Sequence, residues 1–235
     1  MKFLVEAAAA AEHAIAQRIE DELAKNKQVL WLVSGGSNVA LEVNIMRSLK
    51  EKIANKLQNL TILPMDERYG KPGHVNSNTE FMRKSGFQPG VAEWIDVLAH
   101  DVSLEETLEY YADVAAEAMA DAHIIIGQFG LGADGHVAGI LPDSPATDED
   151  YATVIGYEWS DYVRLTLSPR ALTDVQVAYV PAYGQSKEAA LKRLQLNEEP
   201  LDQLPAGLLY EIPEVYVYVD NDISHALAKT ERALF

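Results

Sequence analysis

Ile124-Ile125-Ile126-Gly127 is followed, two residues on, by Gly130-Leu131-Gly132-Ala133-Asp134-Gly135-His136. The apolar run reads as a buried strand, because a short continuous apolar stretch bounded by a turn signal suits a strand covered on both faces. The glycines let the backbone turn sharply and approach a ligand closely. In such a turn His136 can exchange a proton near neutral pH, and Asp134 can orient it or take a proton itself. Two plainer readings compete here. Asp134 can cap a following helix while His136 merely packs, and one Asp-Gly-His is a weak metal-ligating signal.

Outward from this stretch the same pattern recurs. Val29 to Val33 is an apolar run that enters Ser34-Gly35-Gly36-Ser37. Leu60-Thr61-Ile62-Leu63 is another, ending at Pro64-Met65-Asp66-Glu67-Arg68. Helical composition or spacing occupies residues 6–25, 39–56, 103–119, 185–196 and 224–234. Ser103, with Glu106 three residues later, forms a capping-box pattern. Val163-Arg164-Leu165-Thr166-Leu167 alternates like a half-buried strand, and residues 175–180 and 215–219 are further strand candidates. Strands alternate with helices almost throughout. The pattern predicts an α/β fold in a single domain over residues 1–235: a Rossmann-like, largely parallel sheet flanked by helices. Ligands of such sheets collect at the carboxyl ends of the strands. Residues 34–37, a long polar loop over 66–78 and residues 130–136 are therefore expected on one edge, around one cleft.

Composition narrows the chemistry. The 235 residues include no cysteine, which excludes disulfides, thiolate metal sites and a cysteine nucleophile. The net charge of −17, from 36 acidic and 19 basic residues, argues against a nucleic-acid-binding surface. Glu6 interrupts the apolar core that a signal peptide would need, and no stretch approaches an uninterrupted apolar span of ~20 residues. The expected setting is the cytoplasm, with no membrane partner and either a monomeric or a homodimeric chain. In so acidic a protein, an anionic ligand requires a few cations to converge locally.

The candidates for that convergence are few. Ser34-Gly35-Gly36-Ser37, between a strand and a helix, offers backbone N–H groups and the positive end of a helix dipole to a phosphate. It lacks the Gly-Lys-Ser/Thr ending of a Walker loop and the spacing of a dinucleotide loop. The alternative is a tight turn with a serine cap. Asp66-Glu67-Arg68, His74 and Ser77-Asn78 crowd polar groups into one loop, where the planar fork of Arg68 can hold an anion; a solvated loop with local ion pairs is the competing reading. Arg164 within a strand pattern and Lys187 at a helix start are ordinary surface charges unless an anion site gathers them.

Taken in order, these segments resemble the 6-phosphogluconolactonase family, within the wider group that includes glucosamine-6-phosphate deaminase. The resemblance spans nearly the whole chain and continues through Pro142, Arg164-Leu165-Thr166, Gly184 and Lys187. It implies the fold shared by that deaminase, ribose-5-phosphate isomerase and the coenzyme A transferases. It implies hydrolysis of 6-phospho-D-glucono-1,5-lactone to 6-phosphogluconate in the oxidative pentose phosphate pathway, a sugar-phosphate substrate, and neither cofactor nor metal. On that basis His136 is the expected general base, supported by Asp134, with Arg68 facing either phosphate or developing negative charge. Ser34, Gly35, Gly36, Ser37, Arg164 and Lys187 are expected to hold the phosphate. Asp66 is expected to contact substrate, and His74 and Asn78 to contact substrate or order the loop. Deaminases resemble the chain at Asp66 and at Asp134-Gly135-His136, but carry Tyr where Arg68 stands and a catalytic Glu where Leu141 stands. Asn38-Val39, Val137 and Tyr69-Gly70 depart from the usual lactonase pattern. A deaminase-like enzyme on another sugar phosphate and a non-catalytic sugar-phosphate-binding regulator are the alternatives.

Overall fold

A computed structural model describes residues 1–148, 152–160, 162–225 and 227. At its centre β2 (Val29–Val33) is buried at all five positions. Trp31 and Val33 face one hydrophobic cluster and Leu30 and Leu32 face another, so the strand has no polar side to show. β3 (Leu60–Pro64) pairs parallel with one side of β2, and β6 (Ile124–Gln128) with the other. β9 (Val177–Pro181) and β10 (Glu214–Val219) extend the sheet beyond β6, and β1 (Lys2–Val5) closes that edge. β5 (Glu93–Trp94) closes the other, giving the order β1-β10-β9-β6-β2-β3-β5 with every pair parallel.

Helices cover both faces. α1 (Ala8–Ala24) and α2 (Val39–Ile53) bury Ile15, Ile19, Leu23, Ile45, Met46 and Leu49 against one face. α4 (Leu104–Asp121) and α6 (Glu188–Leu196) place Tyr111, Ala115, Leu191 and Leu194 against the other. The expected capping box at the start of α4 is present, with Ser103 and Glu106 bonding each other's backbone N–H. Residues 221–225 are helical, and the rest of the helix expected over 224–234 lies outside the described residues apart from 227.

A second sheet departs from the sequence reading. β4 (Asp66–Arg68), β8 (Tyr162–Leu167) and β7 (Val154–Trp159) form an antiparallel three-stranded sheet in the order β4-β8-β7. The expected loop over 66–78 is therefore a strand at its start, and its last residue opens α3 (Asn78–Lys84). Three charged residues carry no apolar strand signal. What makes them a strand is pairing with β8, a contact more than ninety residues away in sequence. Met65 is the pivot: its N–H donates to the Val33 carbonyl of the large sheet (2.8 Å), and its own carbonyl accepts from Leu167 N–H of the small one (2.9 Å). β1, β5, β7 and the short α5 (Pro169–Thr173) were likewise silent in the sequence.

The sheet order locates the site. β2 leads through α2 to β3 on one side, whereas β6 leads to β9 on the other. The chain thus diverges between the neighbours β2 and β6. Loops leaving two such strands splay apart and open a crevice at their carboxyl ends. Those two loops are residues 34–37 and 130–136.

Candidate active site

The loop after β6 delivers a paired His and Asp. His136 Nδ1 lies 2.6 Å from Asp134 Oδ1, which also accepts the His136 backbone N–H at 3.1 Å. A carboxylate at Nδ1 selects the tautomer protonated there, leaving the Nε2 lone pair free. The bond to His136 holds the Asp134 carboxyl down at about 2, so Asp134 stays anionic at neutral pH. The loop is closed by Gly132 N–H on the His136 carbonyl (2.8 Å), and held from outside by Arg193 and Ala206. Arg193 of α6 donates to the Asp134 carbonyl (2.8 Å) and is itself fixed by Glu199 through Nε (2.7 Å) and Nη2 (2.5 Å). Gly132 has a specific reason to lack a side chain: a Cβ there would overlap His136 Nδ1 and Asp134 Oδ1. Among the described residues no α-helix starts directly after Asp134, so the capping role is replaced by this hydrogen bond to His136.

β4 and α3 build the opposite wall around Glu67. This carboxylate is wholly buried and accepts four bonds: Arg68 N–H (2.8 Å) and Asn78 N–H (2.7 Å) on Oε1, Thr79 N–H (2.9 Å) and the Ser77 hydroxyl (2.9 Å) on Oε2. A buried charge is tolerated only when so satisfied. Glu67 ties the start of α3 to β4, which sets Asn78 beside Arg68. Asn78 Oδ1 accepts from Arg68 Nη1 at 2.5 Å, while its Nδ2 donates to the Asp66 carbonyl at 3.1 Å. His74 is not among the residues lining the cleft; its Nε2 lies 2.8 Å from the Arg68 carbonyl, a contact that braces the loop. Arg68 stands directly across the strand pair from Arg164. Like charges in that position repel. Asp66, buried beside both, is raised by desolvation, with Arg68 acting in the opposite sense.

The loop after β2 takes a conformation only glycine accepts readily, with Gly35 at φ 66° and ψ −148°. Its first two N–H groups, Ser34 and Gly35, do not point to the cleft. Both donate to Oε1 of Glu42, at 3.1 and 3.0 Å. This corrects the expectation that the whole backbone of 34–37 serves a ligand. Gly36 and Ser37 N–H have no acceptor among the described residues. Glu42 is fully buried in the first turn of α2, and desolvation raises it to about 7. Asn38, where the lactonase pattern has Thr, joins the two loops by donating to the Ser34 hydroxyl (3.1 Å) and the Phe129 carbonyl (3.2 Å).

Ser34, Gly35, Gly36, Ser37, Asp66, Arg68, His136, Arg164 and Lys187 all line one cleft of about 160 Å³. Asp134, Asn78 and His74 stand one contact behind it. A larger cavity of about 730 Å³ lies at the amino ends of β2 and β3, away from all of these residues. Glu42, Glu67 and Arg193 escaped the sequence reading as site residues. Only Glu67 carried a signal, its place between Asp66 and Arg68. Among the described residues no group of three or more His, Asp or Glu side chains is arranged to hold a metal ion. No helix among them is long and apolar enough to cross a membrane.

The family of glucosamine-6-phosphate isomerases and 6-phosphogluconolactonase matches residues 4–217, a span that contains every residue of this cleft. The chain belongs to this family. Members of the glucosamine-6-phosphate isomerase/6-phosphogluconolactonase family act on sugar phosphates, and the cations of the cleft suit that substrate class. A 6-phosphogluconolactonase of Pseudomonas aeruginosa is 29% identical over 186 residues, 75% of this chain and 76% of that protein. Among solved structures, a monomeric glucosamine-6-phosphate deaminase matches with a TM-score of 0.77 at 19% identity, over 96% of this chain and 100% of the other. A Trypanosoma brucei 6-phosphogluconolactonase matches at 0.74 and 20%, over 96% and 98%. The two activities share one fold, so side chains must separate them.

Proposed function

We propose that this chain is a 6-phosphogluconolactonase, hydrolysing 6-phospho-D-glucono-1,5-lactone to 6-phosphogluconate in the oxidative pentose phosphate pathway. The observation that carries the reading is Arg68 opposite Arg164 on paired strands, in one cleft with Lys187 and with a His136 whose Nδ1 is fixed by Asp134. Two arginines lining one cleft are stabilised by an anion bound there, and ring opening of a lactone needs a base that can return its proton.

His136 Nε2 takes a proton from water as the water oxygen attacks the lactone carbonyl. The tetrahedral oxyanion collapses, the ring C–O bond breaks, and the imidazolium gives its proton to the departing ring oxygen. Asp134 stabilises the imidazolium without itself being protonated. Arg164, Lys187 and the N–H groups of Gly36 and Ser37 hold the phosphate, and Arg68 adds the third cation facing the bound anion. Leu141 stands where the deaminase resemblance implies a proton-transferring Glu; it is buried among apolar neighbours and can move no proton. The 235 residues act as one catalytic domain in the cytoplasm.

The deciding assay compares freshly generated 6-phosphogluconolactone, corrected for spontaneous hydrolysis, with glucosamine 6-phosphate. Accelerated lactone loss without ammonia release is expected. Ammonia release without lactonase activity would assign the deaminase reading instead, and neither activity would favour the binding regulator.

A further inference from the structure

We propose that Glu42 is a positioning residue for phosphate: it turns the Ser34 and Gly35 N–H groups inward so that the loop presents Gly36 and Ser37 N–H to the ligand. The inference rests on the reading of residues 34–37 as the phosphate loop. Glu42 lies behind that loop, wholly buried, and one oxygen collects both inward N–H groups. Its second oxygen is buried with no hydrogen-bond partner among the described residues. A leucine would fill this place in an amphipathic helix at no such desolvation cost, so packing alone does not explain a carboxyl here. The loop is braced from the front as well. A Cβ on Gly35 would sit 3.1 Å from Asn78 Cγ, and Asn78 holds Arg68. Gly35 is thus fixed between Glu42 and the residue that orients one of the cleft's cations. Moving Glu42 would shift the phosphate contacts and leave the His136 loop, built on β6, in place.

The feature Glu42 supplies is an acceptor at a fixed point, not a charge. Gln keeps that acceptor, Asn pulls it back by one methylene, and Leu removes it. The test uses the full chain with Glu42→Gln, Glu42→Asn and Glu42→Leu. It measures the dissociation constant of inorganic phosphate by direct titration, then KM and kcat for 6-phosphogluconolactone, then kcat/KM for unphosphorylated glucono-1,5-lactone. Leu and Asn are expected to weaken phosphate binding and raise KM by about tenfold, about 1.4 kcal/mol, with kcat nearly unchanged. Hydrolysis of the unphosphorylated lactone should not change in any variant, and Gln should restore phosphate affinity.

Unchanged phosphate affinity in folded Leu or Asn variants would overturn the proposal, since a core-filling residue behaves that way. If Leu fails to fold, Asn and Gln decide. Loss of affinity in the Gln variant, or parallel loss on the unphosphorylated lactone, would also overturn it. A wild-type chain that binds no phosphate would remove both this inference and the phosphate-loop reading. A chain that binds phosphate through Glu42 but does not hydrolyse lactone would fail only the lactonase assignment.

Discussion

The loops after β2 and β6 leave neighbouring strands and face one cleft, yet they are built in opposite ways. After β6 the backbone positions side chains: Gly132 N–H, Ala206 N–H and Arg193 fix the main chain so that Asp134 and His136 meet at 2.6 Å. After β2 a side chain positions the backbone: Glu42 takes two N–H groups, and the next two have no acceptor among the described residues. The first loop offers a proton carrier, whose use depends on chemistry at one atom. The second offers amide dipoles, whose use depends on the course of the main chain. Damage to the first should appear in turnover, and damage to the second in affinity.

The sharpest separation of the two is His136→Ala. General-base catalysis contributes ~10²–10⁴-fold, so turnover should fall by that range while KM and thermal stability hold. Wild-type turnover in the folded variant would remove His136 from the chemistry.

Glu42→Gln distinguishes the β2 loop through pH. In the folded chain Glu42 is raised from an ordinary 4.5 to about 7. Between those values the folded state binds more protons than the unfolded one, so stability falls as pH rises. The contribution is complete below pH 4.5 and lost as pH climbs through about 7. A shift of this size corresponds to about 3 kcal/mol. Denaturant midpoints measured across that window should therefore decline less steeply in Glu42→Gln than in wild type. Parallel curves would show that Glu42 is ionised throughout.

Gly132→Ala tests whether the β6 loop works through its backbone. The added methyl would push into the His136–Asp134 pair, and a displacement of about 1 Å can cost about 10²-fold in rate. Turnover should drop with little change in phosphate affinity. An active Gly132→Ala enzyme would mean that the pair tolerates misplacement and that its geometry is not the source of the rate.

This contrast also explains what the sequence disclosed. β2 was legible to the residue because five apolar positions precede a glycine turn, and the His136 loop because side-chain chemistry is written in residue types. Most of the cleft followed once the carboxyl ends of the strands were taken as one edge. β4 stayed hidden because Asp-Glu-Arg becomes a strand only through β8, and local pattern holds no record of a partner so far away. Glu42 stayed hidden because a Glu in the first turn of a helix is ordinary; only its burial and the two N–H groups eight and seven residues before it mark it out. Arg193 is an unremarkable helix cation until Asp134 is seen in front of it.

The smallest expected effect comes from Lys187, and it sharpens the comparison from the ligand's side. Lys187 lines the cleft at the end of a short turn after β9, and among the described residues it makes no bond to the β2 or β6 loop. Its ammonium should attract the phosphate equally in ground and transition states. Uniform binding of that kind changes KM and leaves kcat alone. One charge-assisted bond at a partly exposed position corresponds to about tenfold in affinity. Lys187→Ala should therefore raise KM for the phosphorylated lactone by about that factor, spare the unphosphorylated one, and lose much of its effect at high salt as screening weakens the wild-type contact. A fall in kcat at constant KM would place Lys187 with His136 among the groups that meet the transition state, and the division of labour between the two loops would have to be redrawn.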